Sequence, residues 1–524
     1  MARLGIDYGT TNTVVVCSDR GRYPVVPHLA ETAIGPVARE VFPSLAAYDR
    51  ENGRFVFGSE VERCMARPGA EERYGLIRSL KRLIRDYTEG VRFAQDIVPG
   101  GFDPAAVLTA FLESLRESVR GSGLLPADEP LEAVITWPAN ANGAQRYLTR
   151  HCFRQAGFGV LSTLNEPTAA AIEFADRMAR GNRMEARKLD LSIGVFDLGG
   201  GTFDVSLVRI GGSEFTVVDS AGIERLGGDD FDDVLARMFA RQLGIEIDAL
   251  RPFQRTLLLL HARQQKESIC TEPVRSLTLH PDDLGLRGAP CTVPVLAFFE
   301  EIERLLVPAL ARMEALVNGP AARRAGIDGA LNAVYLVGGS TRLPLVPKLI
   351  ASRFPGVRLI MTDKPFSAIA MGAAIQSTED VQLHEVLART FGVLRLADGG
   401  VREYFDAVFP GGTKLPERGG LPLEHSIEYG PRHNIGHLRY MECSAIGADG
   451  WPAEGVREWS DVLFPYDPQI PAGHKLTSDQ IVARDNLADK RVRETYSCDA
   501  DGVITVRIRR ECDGMTGCYE VFRN

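Results

Sequence analysis

The sequence lacks any apolar run long enough to cross a bilayer. The longest, around Leu257–Leu260, is far too short, so no membrane partner is expected. It lacks CxxC pairs. Its nine cysteines are odd in number and irregularly spaced over 524 residues, which reads as free thiols in a reducing compartment, and a cytoplasmic location is expected. The N-terminus, MARLGIDYGT, has no basic stretch followed by a long apolar one, so no signal peptide is expected. There is no basic excess: Lys plus Arg is 60 and Asp plus Glu is 69, giving a net charge of −9. A nucleic-acid binder would carry a basic face, so that partner class is set aside. Three common site motifs are missing. There is no GxxxxGK[ST], no GxGxxG after a first strand and no GxSxG, which removes the P-loop, the dinucleotide fingerprint and the nucleophile elbow.

What is present is an ordinary globular composition, 45% apolar and 25% charged, long enough for about three or four domains. Up to residue 378, short apolar β-rich runs alternate with helical stretches. Strands are predicted at Leu4–Asp7, Thr13–Cys17, Ala133–Thr136, Ile193–Asp197, Val205–Ile210 and Ala333–Val337. Helices are predicted at Ala105–Arg120, Gly143–Ala156, Pro167–Ala179, Phe231–Leu243, Pro252–Ile269, Val295–Val317 and Leu345–Arg353. The mixture reads as α/β, with helices covering sheets. From about residue 390 Gly and Pro become frequent and short alternating strands such as Val503–Arg509 take over, an all-β texture. The expected division is 1–378, a polar linker at 379–389, and a β domain at 390–524.

The first part contains an echo. LGIDYGTTNTVVV (Leu4–Val16) and IGVFDLGGGTFDVSLV (Ile193–Val208) each give an apolar strand ending in Asp, a tight Gly/Thr turn and a second apolar strand. Asp7 and Asp197 lie 190 residues apart. A repeat on that scale suggests two similar lobes facing each other across a cleft. Turns built on Gly9, Gly199, Gly200 and Gly201 let a ligand approach the backbone and gather N–H groups into an anion nest. Thr10, Thr11 and Thr202 add hydroxyls, and the two carboxylates suit Mg²⁺ near phosphates. Either hairpin alone reads as an ordinary glycine turn; the matched pair does not. Three weaker features follow. YLVGGSTRLP (Tyr335–Pro344) is a strand, a Gly pair and a helix start, a natural nucleotide seat. LGGDDFDD (Leu226–Asp233) and NEPTAAA (Asn165–Ala171) open helices, and plain capping explains each as well as a site does.

These segments, with AVITWPANANGAQR (Ala133–Arg146), SLKRLIRD (Ser79–Asp86) and MGAAIQ (Met371–Gln376), resemble in order the ATPase domain of the 70-kDa heat-shock chaperones. VFPGGTKLP (Val408–Pro416), NIGHLRY (Asn434–Tyr440) and DGVITVRI (Asp501–Ile508) are similar, more loosely, to that family's peptide-binding domain. The resemblance implies an α/β actin-like two-lobed ATPase followed by an all-β sandwich. It implies ATP or ADP with Mg²⁺ in the cleft, slow hydrolysis, and extended polypeptide clients and co-chaperones as partners. Carried over by residue, Asp7 and Asp197 hold Mg²⁺ through water and orient the attacking water. Thr10, Thr11, Gly199–Gly201 and Thr202 bind phosphates. Glu166 and Asp204 help position the metal or the water. Gly228, Asp229, Lys266, Gly338, Gly339, Ser340 and Arg342 surround the adenosine. Catalysis is then in-line attack of water on the γ-phosphorus, by positioning and charge neutralisation.

The chain departs from the family pattern in several places. Glu62 stands where the family has a catalytic lysine, and would repel phosphate; Arg63 beside it is a partial substitute at best. Glu267 stands where an arginine stacks on adenine. Pro365-Phe366-Ser367-Ala368 replaces PDEA, DVQLHEVL (Asp380–Leu387) is more polar than the family's leucine-rich linker, and Arg402 falls where an apolar residue arches over the peptide. No match to the family's helical lid follows the last strand. Nucleotide binding with little or no turnover is therefore the alternative function. A filament scaffold is disfavoured by the β domain, and a sugar kinase by the order of the motifs. His433, His437 and Cys443 form a weak zinc candidate, and Cys512 and Cys518 a weak pair across a hairpin tip, with free thiols the preferred reading.

Overall fold

The computed structural model describes residues 2–520 except 33–34, 66, 68, 78, 86, 88–90, 96, 127, 180–182, 187, 224, 328, 380, 398–401, 460–461 and 472. Asp86 of the SLKRLIRD segment, Asp380 at the head of the expected linker and residues 521–524 fall outside these.

Two sheets dominate the first part, and they are built alike. In the first, Ala2–Tyr8 pairs antiparallel with Asn12–Ser18 on one side and parallel with Leu131–Trp137 on the other, with Gly159–Asn165 parallel outside that. In the second, Asp190–Leu198 pairs antiparallel with Phe203–Gly211 and parallel with Ala333–Val337, with Arg358–Met361 outside. The parallel strands read AVITW and AVYLV because helices cover both of their faces and no alternation is needed. Lobe I packs Tyr8, Phe111 and Phe153 against its sheet, and lobe II packs Phe196, Phe231, Phe239 and Phe298. Helix starts are explicit in sequence. Asp103 caps Pro104–Gly121, and Asn142 with Gln145 forms a capping box on Gly143–Gln155.

The lobes join through two crossing helices, Glu166–Met178 and Ala368–Gln376. Their approach is closer than side chains allow. A Cβ on Gly372 would overlap the Ala169 carbonyl, and one on Gly5 would overlap that of Ala370. The glycine of MGAAIQ is therefore a packing requirement at the junction.

Two antiparallel sheets dominate the C-terminal part. One runs Arg402–Phe409, Thr390–Ala397, Ile435–Cys443 and Arg457–Glu458, and the other Leu423–Tyr429, Val492–Cys498, Ile504–Arg510 and Thr516–Glu520. Phe391, Val393, Tyr440 and Trp459 of the first share one core with Val492, Tyr496, Val506 and Ile508 of the second. Strict burial alternation in VRETYSC and ITVRIRR shows one face turned inward. Glu494 is buried in this core, accepting from Arg395 at 3.0 Å and from the Tyr429 and Tyr496 hydroxyls, so its charge is fully partnered.

The segment at 379–389 is docked. Gln382–His384 adds to the second sheet as a parallel edge strand beside Glu214–Thr216. Leu387 is buried, and its N–H donates to the Thr413 carbonyl at 2.9 Å. The sandwich also touches lobe I. Glu442 accepts from the Gly143 N–H at 2.9 Å, placing a carboxylate at a helix N-terminus. Asp501 accepts from Thr163 at 2.7 Å and from Arg150 at 2.8 Å. Among the described residues no helix is long and apolar enough to cross a membrane.

The weaker sequence candidates do not assemble. His433 bridges to Ala483 ahead of the strand, His437 is exposed on it and Cys443 is fully buried. No metal-binding group of three ligands occurs among the described residues. Cys518 lies opposite Arg507, away from Cys512 in the turn, and all nine cysteines are free thiols.

Candidate functional site

Asp7 and Asp197 each sit one residue before the end of the first strand of a hairpin, so both carboxylates emerge where a chain turns. The turns meet across a cleft of about 490 Å³. A Cβ on Gly200 would overlap Thr11 Oγ1, and one on Gly201 would come within 2.6 Å of Thr10 Cγ2. The loops are thus as close as glycine permits, and their backbones face one volume. Gly338, with φ +85, takes a left-handed conformation where a Cβ would lie 2.7 Å from Asp197 Oδ1. Among the described residues, the buried Thr11 hydroxyl has no hydrogen-bond partner.

The wall carries seven carboxylates and five cations. Three pairs are firm: Lys81 to Glu166 at 2.7 Å, Lys266 to Asp232 at 2.7 Å, and Arg263 to Glu267 at 2.8 Å. Arg39 pairs with Glu62. Among the described residues of the wall, Asp7, Asp197 and Asp229 then face a single remaining cation, Arg342. Burial is the main reason that the Asp7 carboxyl is pushed up to about 7, with the Glu166 charge adding and Lys81 opposing. Asp197 is raised well above the usual carboxylate range, by burial first and then by Glu166, Asp204 and Asp7. Burial also disfavours the Lys81 ammonium, but Glu166 and Asp7 outweigh it and its pKa is raised. A cleft with this excess of crowded carboxylates calls for added positive charge. The donor set of hard oxygens beside glycine loops and an unpartnered threonine fits a magnesium-bound phosphate group.

Most of the residues singled out from sequence line this one cavity: Asp7, Gly9, Thr10, Thr11, Glu166, Asp197, Gly199, Gly200, Thr202, Gly228, Asp229, Lys266, Gly338, Gly339, Ser340 and Arg342. Gly201 and Asp204 stand just behind it. The Gly201 carbonyl accepts from Arg82 at 2.7 Å, and Asp204 lies opposite Asp197 in the hairpin register. Arg63, expected beside Glu62 as a substitute cation, turns to Glu60; the cation on Glu62 is Arg39. Glu267 holds Arg263, one helical turn earlier, so an arginine still reaches the wall from that helix. Phe366 of the departing PFSA segment closes the wall beside Gly339, where a Cβ would lie 2.7 Å from its ring.

Three functional candidates escaped the sequence reading. Lys81 is buried and bonded to Glu166. Arg82 donates across the cleft to Gly201 and to Asp230 at 3.2 Å. Arg39 pairs with Glu62 over the cavity. SLKRLIRD carried the signal for the first two, but only as a match.

The family model described as Hsp70 protein matches residues 3–396. The chain belongs to the Hsp70 family. Members of this family are ATPases that use ATP or ADP with Mg²⁺, and their two-lobed nucleotide domain is followed by a β-sandwich. The paired hairpin sheets and the separate C-terminal sheets agree with that plan. Relatives named "Chaperone protein HscA homolog" include that of Burkholderia ambifaria (strain MC40-6), 29% identical over 540 positions that cover 98% of this chain and 77% of the relative. Those of Burkholderia multivorans (strain ATCC 17616 / 249) and Burkholderia mallei (strain SAVP1) are also 29% identical, with the same coverage of both chains.

Proposed function

We propose that this Hsp70-family chain is an ATP-dependent chaperone that binds Mg-ATP between its two glycine loops and hydrolyses it slowly. The observation that carries this reading is the near-contact of the Gly9–Thr11 and Gly199–Thr202 turns, with Asp7 and Asp197 on either side. When bound, magnesium would supply the positive charge that the carboxylates leave unmatched; Asp7 and Asp197 would hold it through water. The chain's own groups do the rest. Thr11 and the loop N–H groups hold phosphate oxygens, Glu166 with Lys81 fixes the floor, and Gly338–Ser340 with Arg342 seats the adenosine. Binding in the cleft would change how the lobes sit. The strand Gln382–His384 and the Asp501 contacts would pass that change to the sandwich, which would hold extended polypeptide clients in the cytoplasm, with co-chaperones assisting. Isothermal titration with Mg-ATP, using wild type and Asp197→Asn, tests the core of this. Micromolar or tighter binding that weakens in the variant supports it. Absence of binding by wild type overturns it.

Glu62 on the cavity wall favours a second reading, a nucleotide-responsive binding module with little turnover. Single-turnover hydrolysis that Asp197→Asn abolishes would remove that alternative.

A further inference from the structure

Resting on the reading of the cleft as a Mg-ATP site, this inference concerns which lobe I cation meets the terminal phosphate. Glu62 cannot be that group. Lys81 is committed to Glu166 at 2.7 Å, and both are almost fully buried. Arg82 is committed to Gly201 and Asp230, and Arg63 faces Glu60. Arg39 differs from all three. It ends the strand Gly35–Arg39, and the chain then runs directly against the first glycine loop. Pro43 pairs with Asn12, and the Ser44 N–H donates to the Thr11 carbonyl at 2.9 Å. Arg39 therefore lines the same cavity as Thr10 and Thr11. Its partner is Glu62, and the pair is open to solvent, with side-chain exposures of 37% and 43%.

An exposed ion pair of this kind is weak. A phosphate presents more charge than a carboxylate and takes both prongs of a guanidinium. We propose that Arg39 is the phosphate-binding residue for the terminal phosphate, and that Glu62 is its resting partner, exchanged for the triphosphate on binding. Glu62 then works as a discriminator. A diphosphate is too short to draw Arg39 away, so the pair persists; a triphosphate breaks it.

Calorimetry of the full chain with Mg²⁺ and either ADP or the slowly hydrolysed analogue ATPγS tests this, on wild type, Arg39→Gln, Glu62→Gln and Arg63→Gln. Arg39→Gln is expected to lose about tenfold in ATPγS affinity and less than about threefold for ADP. Glu62→Gln is expected to raise the ATPγS-to-ADP affinity ratio, because Arg39 is freed, and Arg63→Gln to leave it unchanged. A wild-type ratio in Arg39→Gln, while both nucleotides bind, overturns this inference alone. A wild type that binds neither nucleotide overturns it together with the ATP-site reading.

Discussion

Replacing Asp7 by Asn should make the nucleotide-free protein more stable, by an amount that grows as pH rises from about 4 to about 7 and is constant above that. The Asp7 carboxyl titrates at about 7 in the folded protein, against 3.8 for an ordinary aspartate. Folded Asp7 therefore keeps its proton longer than unfolded Asp7. Its contribution to stability is intact below pH 3.8 and is lost as pH rises through about 7. The difference between about 7 and 3.8 sets a ceiling of about 4 kcal/mol. Asp7 is partly open to cleft water, which screens the interaction, so roughly 2–4 kcal/mol is expected at pH 8.5. Asparagine has the shape of the protonated acid without its titration. Thermal unfolding in EDTA, from pH 5 to 8.5, should show the Asp7→Asn midpoint above wild type at pH 8.5. At about 2 °C per kcal/mol, the gap is about 4–8 °C at pH 8.5, falls to about a third of that at pH 5, and closes only below about pH 4. Adding Mg²⁺ with nucleotide should close the gap from the other side, since bound positive charge relieves the wild-type carboxylates. A gap independent of pH, or an Asp7→Asn variant less stable at pH 8.5, would show that burial, with the Glu166 charge adding to it, does not hold this carboxyl up.

Lys81→Met should cost about 3–5 kcal/mol of stability by leaving Glu166 buried and charged, and adding Glu166→Gln should recover most of it; urea midpoints of the single and double variants measure this. Arg82→Ala removes the bond from lobe I to the Gly201 carbonyl and to Asp230, so a fluorescent ADP should leave several-fold faster in stopped flow, with the unfolding midpoint unchanged within about 1 °C. Gly200→Ala puts a methyl group on Thr11 and should weaken Mg-ATP by at least about tenfold in calorimetry while the circular dichroism is retained. Asp501→Asn weakens the contacts to Arg150 and Thr163, so trypsin should cut after Arg389, now buried, sooner than in wild type.

What could be read from sequence was what local chemistry fixes. The two Asp-Gly-Thr hairpins, the buried parallel strands and the long helices follow from short-range pattern, and Ala333–Val337, Val295–Val317 and Leu345–Arg353 lie within the bounds expected of them. No strand or helix is predicted between His28 and Arg85, because its strands run two to five residues and its helices four to seven, too short for a period to show. The cations were missed for a different reason. A lysine in a polar helix reads as solvated, and what buries Lys81 is Glu166, 85 residues later in the chain. Arg39 and Glu62 meet only because a hairpin folds over a helix start. The polar composition of 379–389 points to a linker and says nothing of where it docks, for the same reason. Its hydrogen bonds go to partners that sequence spacing does not reveal: the edge of the second sheet, Thr413, and the Asn165 N–H, which bonds to Glu385 at 3.3 Å. That last contact argues for how the domains communicate. Glu385 also accepts from Thr168 at 3.0 Å, and Asn165 and Thr168 flank Glu166, the carboxylate that holds Lys81 on the cleft floor. One helix start therefore faces the cleft with one residue and the 379–389 segment with its neighbours. On the proposed reading, a shift of that helix when nucleotide binds would disturb the bonds from Asn165 and Thr168 to Glu385.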